Sequence, residues 1–374
     1  MAGIDFTTEA QDLWKNTQAK YLKKAPAPLV VLSERHKWPT VNRRLQKDKI
    51  VIQGGPKVSL GITIRGSTGT THVAPGQIRD YSVADVRETL DMPWVTSSVD
   101  DVLFYREFLT NVKAGGEQLY NLAKQRLCDA IYRQADDLES RAWKSPDSST
   151  DKLNPCGYPY YITPITGAQV TAQGGAGKGL HQGANPYYSD GNVAANCAGV
   201  DASLDKNKLF RNYNDTWSNA TGDITASDVR AISRALRAIK FEVPFSAKGM
   251  VEAVKGGNMR GCTNETLIAN LEEQLRANND NLGTDIVKYQ NMVLINGAPI
   301  EKIDDLDADT TNPLYLIDED QIVPVVLQGD FFRRQGPMTD ARQPDTMVTL
   351  TWLTYNYAVL NRRALAIISY VAAA

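Results

Sequence analysis

At 374 residues and 41.2 kDa the chain is longer than one hydrophobic core usually serves, so two or more lobes are expected. A hydrophobic content of 42% excludes wholesale disorder, and a formal net charge of -2 leaves no global attraction to nucleic acid or an anionic membrane. Cys128, Cys156, Cys197 and Cys262 lie far apart without CxxC spacing, which excludes a disulfide framework and a zinc knuckle.

Residues 1–45 read as an arm. Phe6, Leu13, Trp14 and Tyr21 mark a short amphipathic stretch, followed by Ala25-Pro26-Ala27-Pro28 and by Trp38-Pro39. Prolines pre-set extended backbone, so the segment is expected to reach across surfaces instead of packing its own core. The opening Met-Ala-Gly-Ile-Asp places an acid where a signal peptide has bases, and no secretion is expected.

An extended β loop is predicted over residues 46–85, its two-stranded ribbon running over 50–83. Val58, Leu60, Ile62 and Ile64 alternate with Ser59, Gly61, Thr63 and Arg65, which puts one apolar face on the strand. Gly66-Ser67-Thr68-Gly69 supplies turn chemistry, and Thr70 to Val73 begins the return. A lone two-stranded ribbon is marginal in water, so its greasy face needs a surface to lie on, and a second copy of the chain offers one. Val58, Leu60, Ile62, Ile64, Arg65 and Thr68 on the ribbon, with Trp14 and Trp38 on the arm, are therefore the expected contacts between subunits.

A peripheral domain is expected over 86–224. In Leu90-Asp91-Met92-Pro93-Trp94-Val95, Pro93 limits ladder pairing and predicts an edge or bent strand. Past Gly115-Gly116 a long helix over 116–143 is predicted, with Leu119, Leu122, Ala123, Leu127, Ile131, Ala135, Leu138 and Ala142 as its apolar stripe and Ser145-Pro146 as its stop. The Gly, Asn, Ser and Tyr of residues 165–215 predict a surface insertion.

A compact axial domain is expected over 225–340. Thr225 and Asp228 make a capping box for a helix over 226–240, with Val229, Ile232, Leu236 and Ile239 inward. Another helix over 264–278 takes Thr263 as its cap and turns Leu267, Ile268, Leu271 and Leu275 inward. Asn296-Gly297 predicts a tight hairpin turn, and strands follow at Leu314 to Ile317 and Ile322 to Leu327. The final stretch, 341–374, is expected to return as a strand to the peripheral domain. Its apolar end, Ala364 to Ala374, is well short of the roughly 20 residues that cross a bilayer as helix. These elements make an α+β chain.

Charge is uneven along the sequence. Residues 1–49 hold ten Lys/Arg against five Asp/Glu, whereas 301–320 hold eight Asp/Glu against one Lys, an arrangement that suits head-to-tail contacts between copies.

Enzymatic constellations are missing. In Gly174-Gly175-Ala176-Gly177-Lys178-Gly179, Ala172 stands where a phosphate loop needs its first Gly and Gly179 where it needs Ser or Thr. Asp305, Asp307 and Asp309 copy the first ligands of a calcium loop, but Thr310 replaces its turn Gly and Leu316 its bidentate Glu, which leaves at most a weak cation site on an acidic loop. His36, His72 and His181 have no metal-ligand spacing, and no Gly-x-Ser-x-Gly elbow occurs. No enzyme and no cofactor are expected.

Certain phrases occur in a fixed order. Met92-Pro93-Trp94 leads to the helix ending Leu138-Glu139-Ser140-Arg141-Ala142-Trp143, then Gly157-Tyr158-Pro159-Tyr160-Tyr161-Ile162. Trp217-Ser218-Asn219-Ala220, Ile295-Asn296-Gly297-Ala298-Pro299 and Tyr357-Ala358-Val359-Leu360-Asn361-Arg362-Arg363 follow. From about residue 46 to the end this order resembles the major capsid protein of tailed bacteriophages, the Hong Kong phage capsid fold. The resemblance implies an N-terminal arm, an extended β-hairpin loop, a spine helix in a peripheral domain and a compact axial domain. It further implies pentamers and hexamers of the chain tiling an icosahedral head around double-stranded DNA, assembled in the bacterial host cytoplasm beside a portal and scaffolding or decoration proteins, with no membrane partner. Some members crosslink a loop lysine to a neighbour's asparagine; here the loop offers Lys57 near its base and no lysine between Gly66 and Val73. Two other readings are an encapsulin-like compartment shell and a carbohydrate-binding or adhesion module using residues 165–215.

Overall fold

The computed structural model describes residues 37–45, 49–64, 87–114, 116–165, 179–217, 219, 223–240, 258–277, 293–339 and 341–370. Helices are α1 (Val41–Leu45, a π-helical turn), α2 (Tyr105–Ala114), α3 (Gly116–Ala142), α4 (Tyr158–Tyr161), α5 (Ala226–Ile239) and α6 (Glu265–Ala277). The strands run β1 (Ile50–Ile52), β2 (Val58–Thr63), β3 (Arg87–Met92), β4 (Val95–Phe104), β5 (Leu180–Gly183), β6 (Asn212–Thr216), β7 (Met259–Thr263), β8 (Val293–Ile295), β9 (Ala298–Lys302), β10 (Leu314–Asp318), β11 (Ile322–Leu327), β12 (Arg333–Thr339), β13 (Thr346–Val359) and β14 (Leu365–Ser369). Their described residues fall into two compact units, one drawn from Met1–Gly54, Val95–Ser140 and Val326–Tyr355, the other from Gly55–Trp94, Arg141–Val325 and Asn356–Ala374.

In the first unit β13, rich in Thr, Val and Tyr, takes β4 along one edge from Thr346↔Phe104 to Tyr355↔Val95 and β12 along the other. Such residues suit a pleated, half-buried surface. The helix α3 buries Leu127, Ala130, Gln134 and Leu138, a stripe of threes and fours. Ile131, expected on that stripe, is instead 55% exposed; the buried line passes through Ala130 and Gln134, so the helix shows its sheet a face rotated from the purely apolar one. The hydroxyl of Ser97 donates to Asp137 at 3.4 Å and marks which face of β4 the helix attends.

The second unit is built on a seven-stranded sheet ordered β5-β6-β14-β10-β7-β9-β8. Ladder partners share a face, so Tyr213, Ala366, Leu316, Gly261, Ile300 and Val293 line up across it. Onto that face pack Ile232, Leu236 and Ile239 of α5 and Leu267 and Leu271 of α6, in one buried cluster. The Thr225–Asp228 capping box forms as its spacing predicts. For α6 the cap is Asn264, whose Oδ1 accepts the Leu267 N–H at 3.0 Å; Thr263 is the last residue of β7 and is corrected accordingly. Asn296 and Gly297 take the positive φ values, 50° and 81°, that a tight hairpin turn demands.

Aromatic rings fill the opposite side. Trp143 stacks on Tyr158 with centroids 4.7 Å apart and tilts against Tyr315 at 5.7 Å. Near them Arg362, with none of its surface exposed, donates to the carbonyls of Tyr161 (2.5 Å), Ala184 and Phe210 (3.3 Å) and to the Thr163 hydroxyl (2.5 Å). One guanidinium thereby ties three chain segments, at 161–163, 184 and 210, without a carboxylate partner in that set.

The ribbon differs from its expected pairing. β2 pairs antiparallel with β3, from Val58↔Met92 to Thr63↔Arg87, so its described return is the segment read as a bent edge strand. Apolar pairs set that register, Val58 against Met92 and Leu60 against Leu90. Ile50–Ile52, read as the ribbon's beginning, is β1 and joins the sheet of β11 and β13. The turn 66–69 and the return at 70–73 lie outside the described residues.

Candidate interaction surfaces

The base of the ribbon is held by its own chain. Val58, Leu90 and Met92 are buried, whereas Leu60, Ile62 and Ile64 are half-buried and Ser59, Gly61 and Thr63 face outward. Ile62 and Ile64 border a cavity of about 480 Å³ with Leu209, Phe210, Ile239 and Leu360. Lys57 and Ser59 both grip the Asp91 carboxylate, the Asp91 N–H donates to the Ala198 carbonyl at 2.7 Å, and Lys206 pairs with Glu88 at 2.9 Å. Gly199 allows this approach: with φ at +90°, a Cβ there would meet the Thr89 carbonyl at 3.1 Å. Val58 is therefore a core residue of its own subunit and is withdrawn as an expected subunit contact, because a side chain with no exposed surface has nothing to offer a partner. Arg65, Thr68 and Trp14 lie outside the described residues.

Trp38 binds its own chain's spine helix. Its indole N–H donates to Asp136 at 2.6 Å and its ring meets Tyr132 edge-on at 5.4 Å. Two residues on, the backbone N–H groups of Thr40 and Val41 donate to the buried Glu139 carboxylate at 2.9 and 3.0 Å. An anion is thus supplied where helical N–H groups lack partners.

Sequence reading missed the outer face of β4, β13 and β12. Alternation puts Ser98, Asp100, Val102 and Phe104 on the face away from Ser97, and the ladders set Val348 between Val102 and Met338, Leu350 between Asp100 and Gln335, and Trp352 between Ser98 and Arg333. Phe104 is 55% exposed, and Val102, Met338, Val348, Leu350 and Trp352 are half-buried. The indole N–H of Trp352 is enclosed with no acceptor among the described residues. The signal lay in Val348-Thr349-Leu350-Thr351-Trp352, whose period of two shows that a strand has an apolar face without showing which face the spine helix covers.

Charge separates on the second unit. Arg230, Arg234, Arg237 and Lys240 are exposed along and just past α5. At the other end of the same sheet, Glu265, Glu273, Asp304 and Asp307 are exposed on α6 and the turn that follows β9. In the acidic loop singled out as a weak cation site, Asp307 accepts the Glu265 N–H at 2.9 Å and meets Lys302 at 3.1 Å, while one Asp309 oxygen accepts from the N–H and hydroxyl of Thr311. These oxygens cap a helix and close a turn, and among the described residues no group of three or more ligand side chains converges. The glycine run at 174–178 lies outside the described residues. No described helix is long and apolar enough to cross a membrane.

The sequence matches no family model and no curated protein. Solved structures do match, over nearly the whole chain. A chain of the cyanophage A-1(L) capsid gives a TM-score of 0.55 at 12% identity, covering 93% of this chain and 97% of that one. The capsid of a native GTA particle gives 0.55 at 12% identity, covering 94% and 96%. The chain has the tailed-phage capsid fold. A third such structure, the capsid of Myoviridae phage XM1, gives 0.50 at 9% identity and covers 99% of this chain and 100% of that one. At these identities the capsid fold persists while the side chains have been replaced almost throughout, so subunit contacts must be argued from this chain's own surfaces.

Proposed function

We propose that the chain is the structural subunit of an icosahedral phage head, self-assembling as pentamers and hexamers around double-stranded DNA. Coverage carries this reading: the capsid fold accounts for the chain nearly end to end. The partly exposed Phe104, Val348, Leu350 and Trp352 on the outer face of β4 and β13 support it, because half-buried apolar side chains gain more by association than by staying in water. In this reading the peripheral lobe holds the spine helix and the returning β13, the axial lobe holds about 225–340, and half-buried Leu60, Ile62 and Ile64 with Arg65, Thr68 and Trp14 carry contacts between copies. The reading needs no cofactor and no catalytic group. Portal and scaffolding or decoration proteins are its further partners, and the host cytoplasm its place of assembly.

Electron microscopy of the purified chain tests the proposal. Closed shells, or pentameric and hexameric rings, are expected. Monomers alone at every salt concentration and with crowding agents would overturn it, and shells that co-purify an enzyme cargo would select the encapsulin-like reading.

A further inference from the structure

We propose that neighbouring copies within one ring of the shell meet head to tail through charge, the basic outer face of α5 on one copy lying against the acidic corner made by α6 and the turn after β9 on the next. The inference deepens the shell reading and rests on it.

The basic half is a stripe. Arg230, Arg234 and Arg237 recur at four and three residues, and Lys240 follows three later, all exposed. At a rise of 1.5 Å per residue the stripe is roughly 15 Å long. Like charges at these spacings oppose a helix, so the stripe calls for counter-charge from outside α5. Asp228 is the acid within α5, and it is buried, its carboxylate accepting from the N–H and hydroxyl of Thr225. Arg234 reaches Asp215, whose side chain is 2% exposed. Arg230 and Arg237 meet no acid among the described residues.

The acidic half has the opposite imbalance. Lys302 lies 3.5 Å from Glu265, 3.6 Å from Asp304 and 3.1 Å from Asp307, one cation shared among three carboxylates. Glu273 adds an exposed acid two turns further along the exposed side of α6. Among the described side chains this corner keeps a surplus of negative charge after its own pairing.

Position decides the kind of contact. α5 packs on β6, β14 and β10, and α6 on β9 and β8, at opposite ends of the seven-stranded sheet. A two-fold contact with its axis through either patch would press like charges together. A head-to-tail contact joins unlike ones, and repeating a single rotation closes such contacts into a ring. Steering by complementary charge also fixes register and discourages wrong partners. Double-stranded DNA is the competing occupant of the basic stripe, and it would leave the acidic corner with no role.

Four proteins test the contact: the natural chain, Arg230→Glu with Arg237→Glu, Glu273→Lys with Asp304→Lys, and all four substitutions combined. Sedimentation and electron microscopy at low salt give the concentration at which rings or shells appear, with thermal melting to confirm folding. Each reversed pair is expected to raise that concentration about tenfold or more, and the combined protein to recover most of the loss. Reversed pairs that assemble like the natural chain would overturn the contact and leave the shell reading standing. A basic-face variant that assembles normally but loses affinity for duplex DNA overturns it in favour of a polyanion surface. A natural chain that never assembles removes the shell reading itself. Should a reversed pair fail to fold, Arg230→Gln with Arg237→Gln replaces it, and unchanged assembly by that protein overturns the contact.

Discussion

Among single residues, Arg362 does most to unify its unit. Its fork reaches three backbone carbonyls and the Thr163 hydroxyl, groups that otherwise face a water-free interior. Replacing it with Met keeps the volume and strands those acceptors, so Arg362→Met is expected to lower unfolding stability by about 3–5 kcal/mol, read by urea denaturation. Lysine offers one nitrogen where four directions are needed, and Arg362→Lys is expected to recover less than half of the loss. Asp91 allows a pH test at the ribbon base. The hydrogen bond from Lys57 and then that from Ser59 hold its carboxyl below the usual 3.8. A carboxylate with a lowered folded pKa contributes stability above its unfolded value, and the contribution disappears as the pH falls through the folded one. Asp91→Asn is thus expected to be less stable than the natural chain at neutral pH, by under about 1 kcal/mol because the pair is partly exposed, and equal to it well below 3.8. Chemical denaturation across that pH range, with and without added salt, measures the difference.

At the level of elements, the spine helix also anchors the end of the arm. Glu139 is buried and accepts the Thr40 and Val41 N–H groups, so removing its carboxylate leaves two donors unsatisfied. Glu139→Ala is expected to lower stability by about 2–3 kcal/mol and to speed proteolytic cleavage around residues 37–45, while Glu139→Gln, which keeps one acceptor oxygen, falls between. That anchor was invisible in the sequence, where Glu139 is one of many acids on a polar helix face. What was legible is what local periodicity and turn chemistry specify: α3, the α5 capping box and the Asn296-Gly297 hairpin all stand where predicted. Strand partners were less so. Alternation at Val58 to Ile64 identifies a strand with an apolar face, yet its partner is chosen by distant Leu90 and Met92, and Pro93 just beyond them had drawn that segment into a different role.

For the whole molecule, the order of elements was readable and the interaction surfaces were not, because a surface depends on which face a packed helix leaves open. The outer face of β4, β13 and β12 shows why. Met347 and Leu353 of β13 are buried, whereas Val348 and Leu350 keep part of their surface open on the other side. If copies of the chain join there, a charge on that side harms association and spares the fold. Leu350→Lys is expected to leave the melting temperature within a few degrees of the natural value, since a half-exposed lysine keeps its ammonium in water. Burying the altered face in a contact would forfeit roughly 1–2 kcal/mol per copy, which raises the assembly concentration about tenfold. Leu353→Lys, on the enclosed side, is expected to unfold the subunit, because its charge has no route to solvent. Light scattering of assembly beside thermal melting separates the two. Equal assembly by Leu350→Lys and the natural chain would show that this face stays in water, and the apolar contact between copies would then have to be carried by the ribbon.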